Sequence, residues 1–160
     1  MLMPRRALVT TRTCEVFGAA HALADQLGHE DTTPLHVALC LLQEGMNMAA
    51  QILLYSCQLP RDIFHGELEA QLPPSRAPRA PGYALDWSTS DEHMLGLAAV
   101  EARELGSVYF GCEHLLLAFL RDSSSGPARV LAAHGVSFDR VRQDVQSIYN
   151  RTMVWAGPAT

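Results

Sequence analysis

The stretch Leu27-Gly28-His29-Glu30-Asp31-Thr32-Thr33-Pro34-Leu35-His36-Val37-Ala38-Leu39-Cys40-Leu41-Leu42 has a second version 78 residues further on. That version reads Leu105-Gly106-Ser107-Val108-Tyr109-Phe110-Gly111-Cys112-Glu113-His114-Leu115-Leu116-Leu117-Ala118-Phe119-Leu120. Five positions are identical: the Leu-Gly pair, the histidine and two leucines of the apolar run. A fixed-offset repeat sets the architecture, because each copy is one supersecondary unit that buries its apolar face against its neighbour. In both copies Leu-Gly closes one helix, a short loop follows, and the histidine lies in the first turn of the next. That second helix is apolar almost all round, as expected of a helix in the middle of a bundle.

The flanking sequence extends the repeat. Thr10 or Thr11 caps a first helix whose stripe is Cys14, Phe17, Ala20, Ala24 and Leu27, widened by Val16 and Leu23. Gly28 stops it, and Thr33-Pro34 supplies an N-cap and first helical residue for the second helix. A third helix from about Asn47 to Ser56 presents Ala49, Ile52 and Leu53. Pro60 opens a fourth, with Ile63, Phe64 and Leu68 directed inward. Residues 73–82 hold four prolines in ten positions and cannot be helical. The second half repeats the plan. Met94, Leu95, Ala98, Ala102 and Leu105 form the stripe, Gly106 stops it, and the apolar helix runs from 112 to about 122. A seventh helix carries Val130 and Leu131, and an eighth carries Val141, Val145 and Ile148, with Val141 matched to Ile63 at the same offset. No stretch alternates at period two, so no strand is expected. The predicted fold is all-α: eight helices in two four-helix units, 10–72 and 88–150, joined by a proline-rich linker over 73–87. A loose arm occupies 1–9 and a short tail 151–160.

Composition narrows the function. The net charge of −5 argues against nucleic-acid binding. Twelve arginines and no lysine leave no P-loop lysine. The four cysteines form no CxxC pair, which favours reduced thiols and a cytoplasmic setting. No apolar run approaches the ~18 residues of a membrane span.

Candidate chemistry is sparse. His29-Glu30 and His36 do not make a zinc-protease HExxH, whose histidines stand four apart on one helical face. His36 and His114 read as packed, hydrogen-bonded residues of the first helical turn. A metal site there needs both units to converge on it, and no other ligand set is evident. No catalytic nucleophile is linked locally to a base. Trp87, just before a capping Ser88, reads as a hydrophobic staple or as an aromatic anchor for a ligand. Glu113 suits the positive end of its helix, and it also offers an acid for a cationic group. Its counterpart in the first copy is Leu35.

Taken together, Thr33-Pro34-Leu35-His36 with its apolar run to Gly45, and Gly111-Cys112-Glu113-His114 with its run to Asp122, resemble the double Clp-N repeat at the front of Clp unfoldases. Val130-Leu131, Gly135-Val136 and Val141-Arg142-Gln143 resemble it as well, and the likeness covers about residues 9–149. It implies an eight-helix, pseudo-twofold module without enzymatic activity or cofactor. It also implies docking of adaptor proteins, substrate peptides or subunits of an ATP-driven Clp protease. In ClpC-like members the motif glutamate of each repeat holds the guanidinium of phosphoarginine; Glu113 matches that residue and Leu35 does not. Cyclic-peptide antibiotics bind near the repeat starts in some members, where this chain has Val9 and Trp87. Such a chain is either one domain of a longer unfoldase or a free-standing protein acting as accessory subunit, adaptor or decoy. Met1 and the divergent first repeat favour the free-standing form. The competing classes are a small helical hydrolase or metal protein using His36 and His114, and a purely structural accessory subunit of a Clp protease.

Overall fold

The computed structural model describes residues 8–78 and 89–154. Among these residues the helices are α1 (Thr11–Gln26), α2 (Pro34–Glu44), α3 (Met48–Gln51), α4 (Arg61–Ala70), α5 (Thr89–Glu104), α6 (Cys112–Arg121), α7 (Gly126–Ala133) and α8 (Phe138–Val154). α3 continues directly into a π-helical turn over Ile52–Ser56. Most of the proline-rich linker, including Trp87, lies outside the described residues.

The apolar composition of α2 and α6 puts them at the centre. Leu39, Leu41 and Leu42 of α2 and Leu115, Leu116 and Leu117 of α6 are all buried. Each fully buried leucine contributes about 1.5–3 kcal/mol relative to an exposed one. α1 packs on α2 and α5 on α6, while α3 meets α6 and α7 meets α2. The two units therefore interlock through one continuous core. The caps follow the sequence. The Thr10 side chain accepts from Thr13 N–H, Asn47 from Ala50 N–H and Ser125 from Ala128 N–H. Gly28, Gly45, Gly106 and Gly135 are left-handed.

Three expectations need correction. First, the structure contains strands. β1 (Leu8–Val9) pairs in parallel with β2 (Tyr109–Phe110), and Thr10 N–H donates to Phe110 O at 3.1 Å. Two residues are too few to alternate visibly, so nothing local announced the pairing. Second, Cys14 is exposed; Thr13, Val16 and Phe17 carry the buried face at this end of α1. Third, Ile63 is 57% exposed, whereas Val141 is buried.

The π turn explains the third correction. The N-caps Asn47 and Ser125 obey the 78-residue offset, as do the buried pairs Ile52/Val130 and Leu53/Leu131. Past the turn the left-handed residues are Gln58 and Gly135, so the offset has become 77. The hydrogen bonds carry the same extra residue: Leu59 N–H donates to Leu53 O, whereas Val136 N–H donates to Leu131 O. The first copy thus holds one inserted residue, absorbed as a π turn. The turn is tied across to α8, where Ser56 Oγ donates to Asp144 at 2.6 Å and Arg140 donates to Ser56 O at 2.6 Å. With the slip included, Phe64 matches Val141 and Leu68 matches Val145, and all four are buried. Leu72 then matches Tyr149.

Candidate functional site

Both repeated histidines are fully buried and do the same structural job. His36, third residue of α2, accepts Thr33 N–H at Nδ1 over 2.9 Å, and His114, third residue of α6, accepts Gly111 N–H at Nδ1 over 2.9 Å. This is the role that Glu or Gln plays in a capping box. An acceptor Nδ1 carries no proton, so in each neutral ring the proton sits on Nε2 and points away from the cap.

The two copies spend that Nε2 proton differently. In the first, His36 Nε2–H donates to His29 Nδ1 at 2.8 Å, and His29 Nε2–H donates to Pro73 O at 3.1 Å. The relay pins the beginning of the linker to α2. Arg76 N–H adds a bond to Leu27 O at 2.8 Å, and exposed Arg76 faces Glu30 at 3.3 Å. Gly28, His29, Thr33, His36, Pro73 and Arg76 line a cavity of about 330 Å³ here. Burial holds His36 down to about 4, with neighbouring His29 adding to the effect.

In the second copy, His114 Nε2–H donates to Tyr149 Oη at 3.1 Å, and Tyr149 O–H donates to Glu113 Oε1 at 2.6 Å. Glu113 is only 9% exposed, and its carboxylate curls over Gly111, where a Cβ would collide with it. Burial raises the Tyr149 phenol above its ordinary range, reinforced by the hydrogen bond to Glu113. Burial also lowers His114, partly offset by Glu113. Repeat 2 thus carries a connected Gly111–His114–Tyr149–Glu113 network around one carboxylate.

The remaining candidates are dispersed. Leu35 is half-buried and packs toward the second copy: a Cβ on Gly126, the first residue of α7, would meet Leu35 Cδ2 at 2.7 Å. Val9 stands in β1 opposite Phe110, three residues before Glu113, with its side chain against the core. Gly28 and Gly106 serve as helix stops. His29 and Tyr149 were missed as site residues. His29 is the loop residue its position suggests, but its bonds to His36 and Pro73 are not written locally, and Tyr149 lies on a helix whose contact with α6 has no sequence signature.

The buried thiols are poor nucleophiles. Burial pushes Cys40 and Cys112 up to about 11, and Cys112 Sγ lies 3.4 Å from Thr13 Oγ1. Among the described residues no three His, Cys, Asp or Glu side chains converge as ligands for a metal ion. No single helix among them is long and apolar enough to cross a membrane.

An all-α double repeat, with a capping histidine in each central helix and a carboxylate network in the second, is the class that fold and site define. The family described as "Clp repeat (R) N-terminal domain" matches residues 8–134 and 86–159, and the chain belongs to it. It is 30% identical over 148 residues to the chaperone protein ClpB of Oceanobacillus iheyensis, covering 92% of this chain and 18% of that protein. It is 31% identical over 136 residues to the negative regulator of genetic competence ClpC/MecB of Bacillus subtilis, covering 85% of this chain and 16% of that one. The chain thus spans less than a fifth of the length of either relative. The N-domain of ClpV from Vibrio cholerae shares the fold with a TM-score of 0.75 at 14% identity, over 92% of this chain and 93% of that one.

Proposed function

We propose that this chain is a non-catalytic docking module for a Clp-type ATP-driven unfoldase, engaging adaptor proteins or substrate peptides through its double repeat. Residues 10–72 and 88–150 are the two proposed units. Recognition of a guanidinium group, that of phosphoarginine in particular, belongs to the second repeat alone. The observation that carries this is the broken symmetry at one position: Glu113 in the second repeat, Leu35 in the first. A carboxylate near a helix N-terminus accepts a guanidinium in a bidentate pair. A leucine packed toward Gly126 offers it nothing.

Calorimetry of the 160-residue chain with a phosphoarginine peptide tests this. The expected stoichiometry is one peptide per chain, lost in Glu113→Gln and retained in Leu35→Ala. Two sites, or binding indifferent to Glu113→Gln, overturns the assignment.

A further inference from the structure

In the second repeat the carboxylate that would receive a guanidinium already has a partner. Tyr149 O–H donates to Glu113 Oε1 at 2.6 Å, and His114 Nε2–H, donating to the same phenol at 3.1 Å, orients that proton toward the carboxylate. The glutamate lies back over Gly111, a position it reaches only because Gly111 has no Cβ. In the first repeat Leu72 takes the place of Tyr149 and Thr33 the place of Gly111, so both elements of this arrangement belong to the second repeat.

We infer that Tyr149 and Gly111 form an internal lock on Glu113: the phenol holds the carboxylate in a retracted, mostly buried position, and a guanidinium ligand must displace it to bind. The inference rests on the proposed cation-binding role of Glu113. The lock is neutral at the tyrosine, because the phenol stays protonated through the physiological range. A hydrogen bond to a charged group is strong enough for its loss to change ligand affinity roughly tenfold or more. A guanidinium that pairs with Glu113 more strongly than the phenol does opens the site, and a weaker one leaves it shut.

Two substitutions release the lock by different routes. Tyr149→Phe removes the hydroxyl and keeps the ring in the core. Gly111→Ala keeps the tyrosine and displaces the carboxylate, and its backbone, at φ −120°, suits any residue. Thermal melts establish that each variant is folded. The binding probe is a phosphoarginine peptide, titrated calorimetrically against the whole chain, the two variants, and each variant combined with Glu113→Gln. The expected result is affinity gained roughly tenfold or more in both variants and abolished by Glu113→Gln. Equal, Glu113-dependent affinity in all three proteins overturns the lock and leaves the site intact. Gain that survives Glu113→Gln also overturns the lock. Absence of binding in every folded protein overturns both the lock and the cation-binding role of Glu113.

Discussion

A histidine third in a helix is an unusual cap, and it links helix entry to pH. His36 bonds through a neutral ring, and its folded value near 4 lies below the ordinary 6.5 of an unfolded chain. The unfolded chain therefore binds the proton first as pH falls. The stabilisation from the neutral ring is complete above pH 6.5, declines below it, and is lost as pH falls to about 4, with about 3 kcal/mol at stake. His114 shifts in the same direction. Urea unfolding at pH 7 and pH 4.5 is expected to show a clear drop in midpoint for the parent and a smaller one for His36→Gln. Equal drops in the two proteins place the pH dependence on other groups. The two helix-stop glycines make a second contrast. Both are left-handed, at φ +67° and +68°. An alanine at Gly106 meets open space, so the expected loss is about 1 kcal/mol, the backbone term alone. An alanine at Gly28 collides with the Ala77 carbonyl and with Arg76 as well. Gly28→Ala is thus expected to lower the melting temperature more than Gly106→Ala. The Leu-Gly repetition made both glycines legible as stops. The second duty of Gly28 was hidden, because the segment that crosses it, Arg76-Ala77, belongs to the linker.

One element separates the two repeats: the π turn at Ile52–Ser56. An inserted residue rotates everything after it by about 100° if a helix continues unbroken. Carried past this point, the 78-residue offset pairs exposed Ile63 with buried Val141, whereas Phe64 holds the matching core position. The chain recovers its register by widening one turn and by placing Gln58 at φ 51°, where the second repeat uses Gly135. A left-handed non-glycine residue is strained, and Gln58 is exposed, so its side chain anchors nothing in the core. Gln58→Gly is expected to stabilise the protein by up to about 1 kcal/mol in chemical denaturation. Gly135→Gln is expected to destabilise it by about the same amount. A neutral result for both removes the conformational argument. The capping residues, the glycine stops and the apolar runs of α2 and α6 were legible, since each is written in contiguous residues. The insertion was not, because a single extra residue leaves no mark on local periodicity until both copies are superposed in space.

At the scale of the molecule the repeats are not independent modules. α2 and α6 bury apolar residues on every side, and part of that cover comes from the opposite repeat through α7 and α3. β1, which precedes the first repeat, pairs with a strand of the second. A fragment of residues 8–72 is accordingly expected to lack cooperative unfolding and helical circular dichroism of native strength. The whole chain is expected to unfold in one transition. A fragment that melts cooperatively by itself contradicts the shared core. Helix order, caps, stops and the central apolar helices follow from the sequence by itself, because hydrogen bonds within four residues and a 3.6-residue period encode them locally. The broken symmetry of Leu35 and Glu113 is equally plain there. Tertiary structure alone decided what those residues face: His29 relaying from His36 to Pro73, Tyr149 closing on Glu113, and Leu35 set toward Gly126. These partners are far apart in the chain or on separate elements, and they meet only when packing of the apolar faces brings α8 and the linker back onto the starts of α6 and α2.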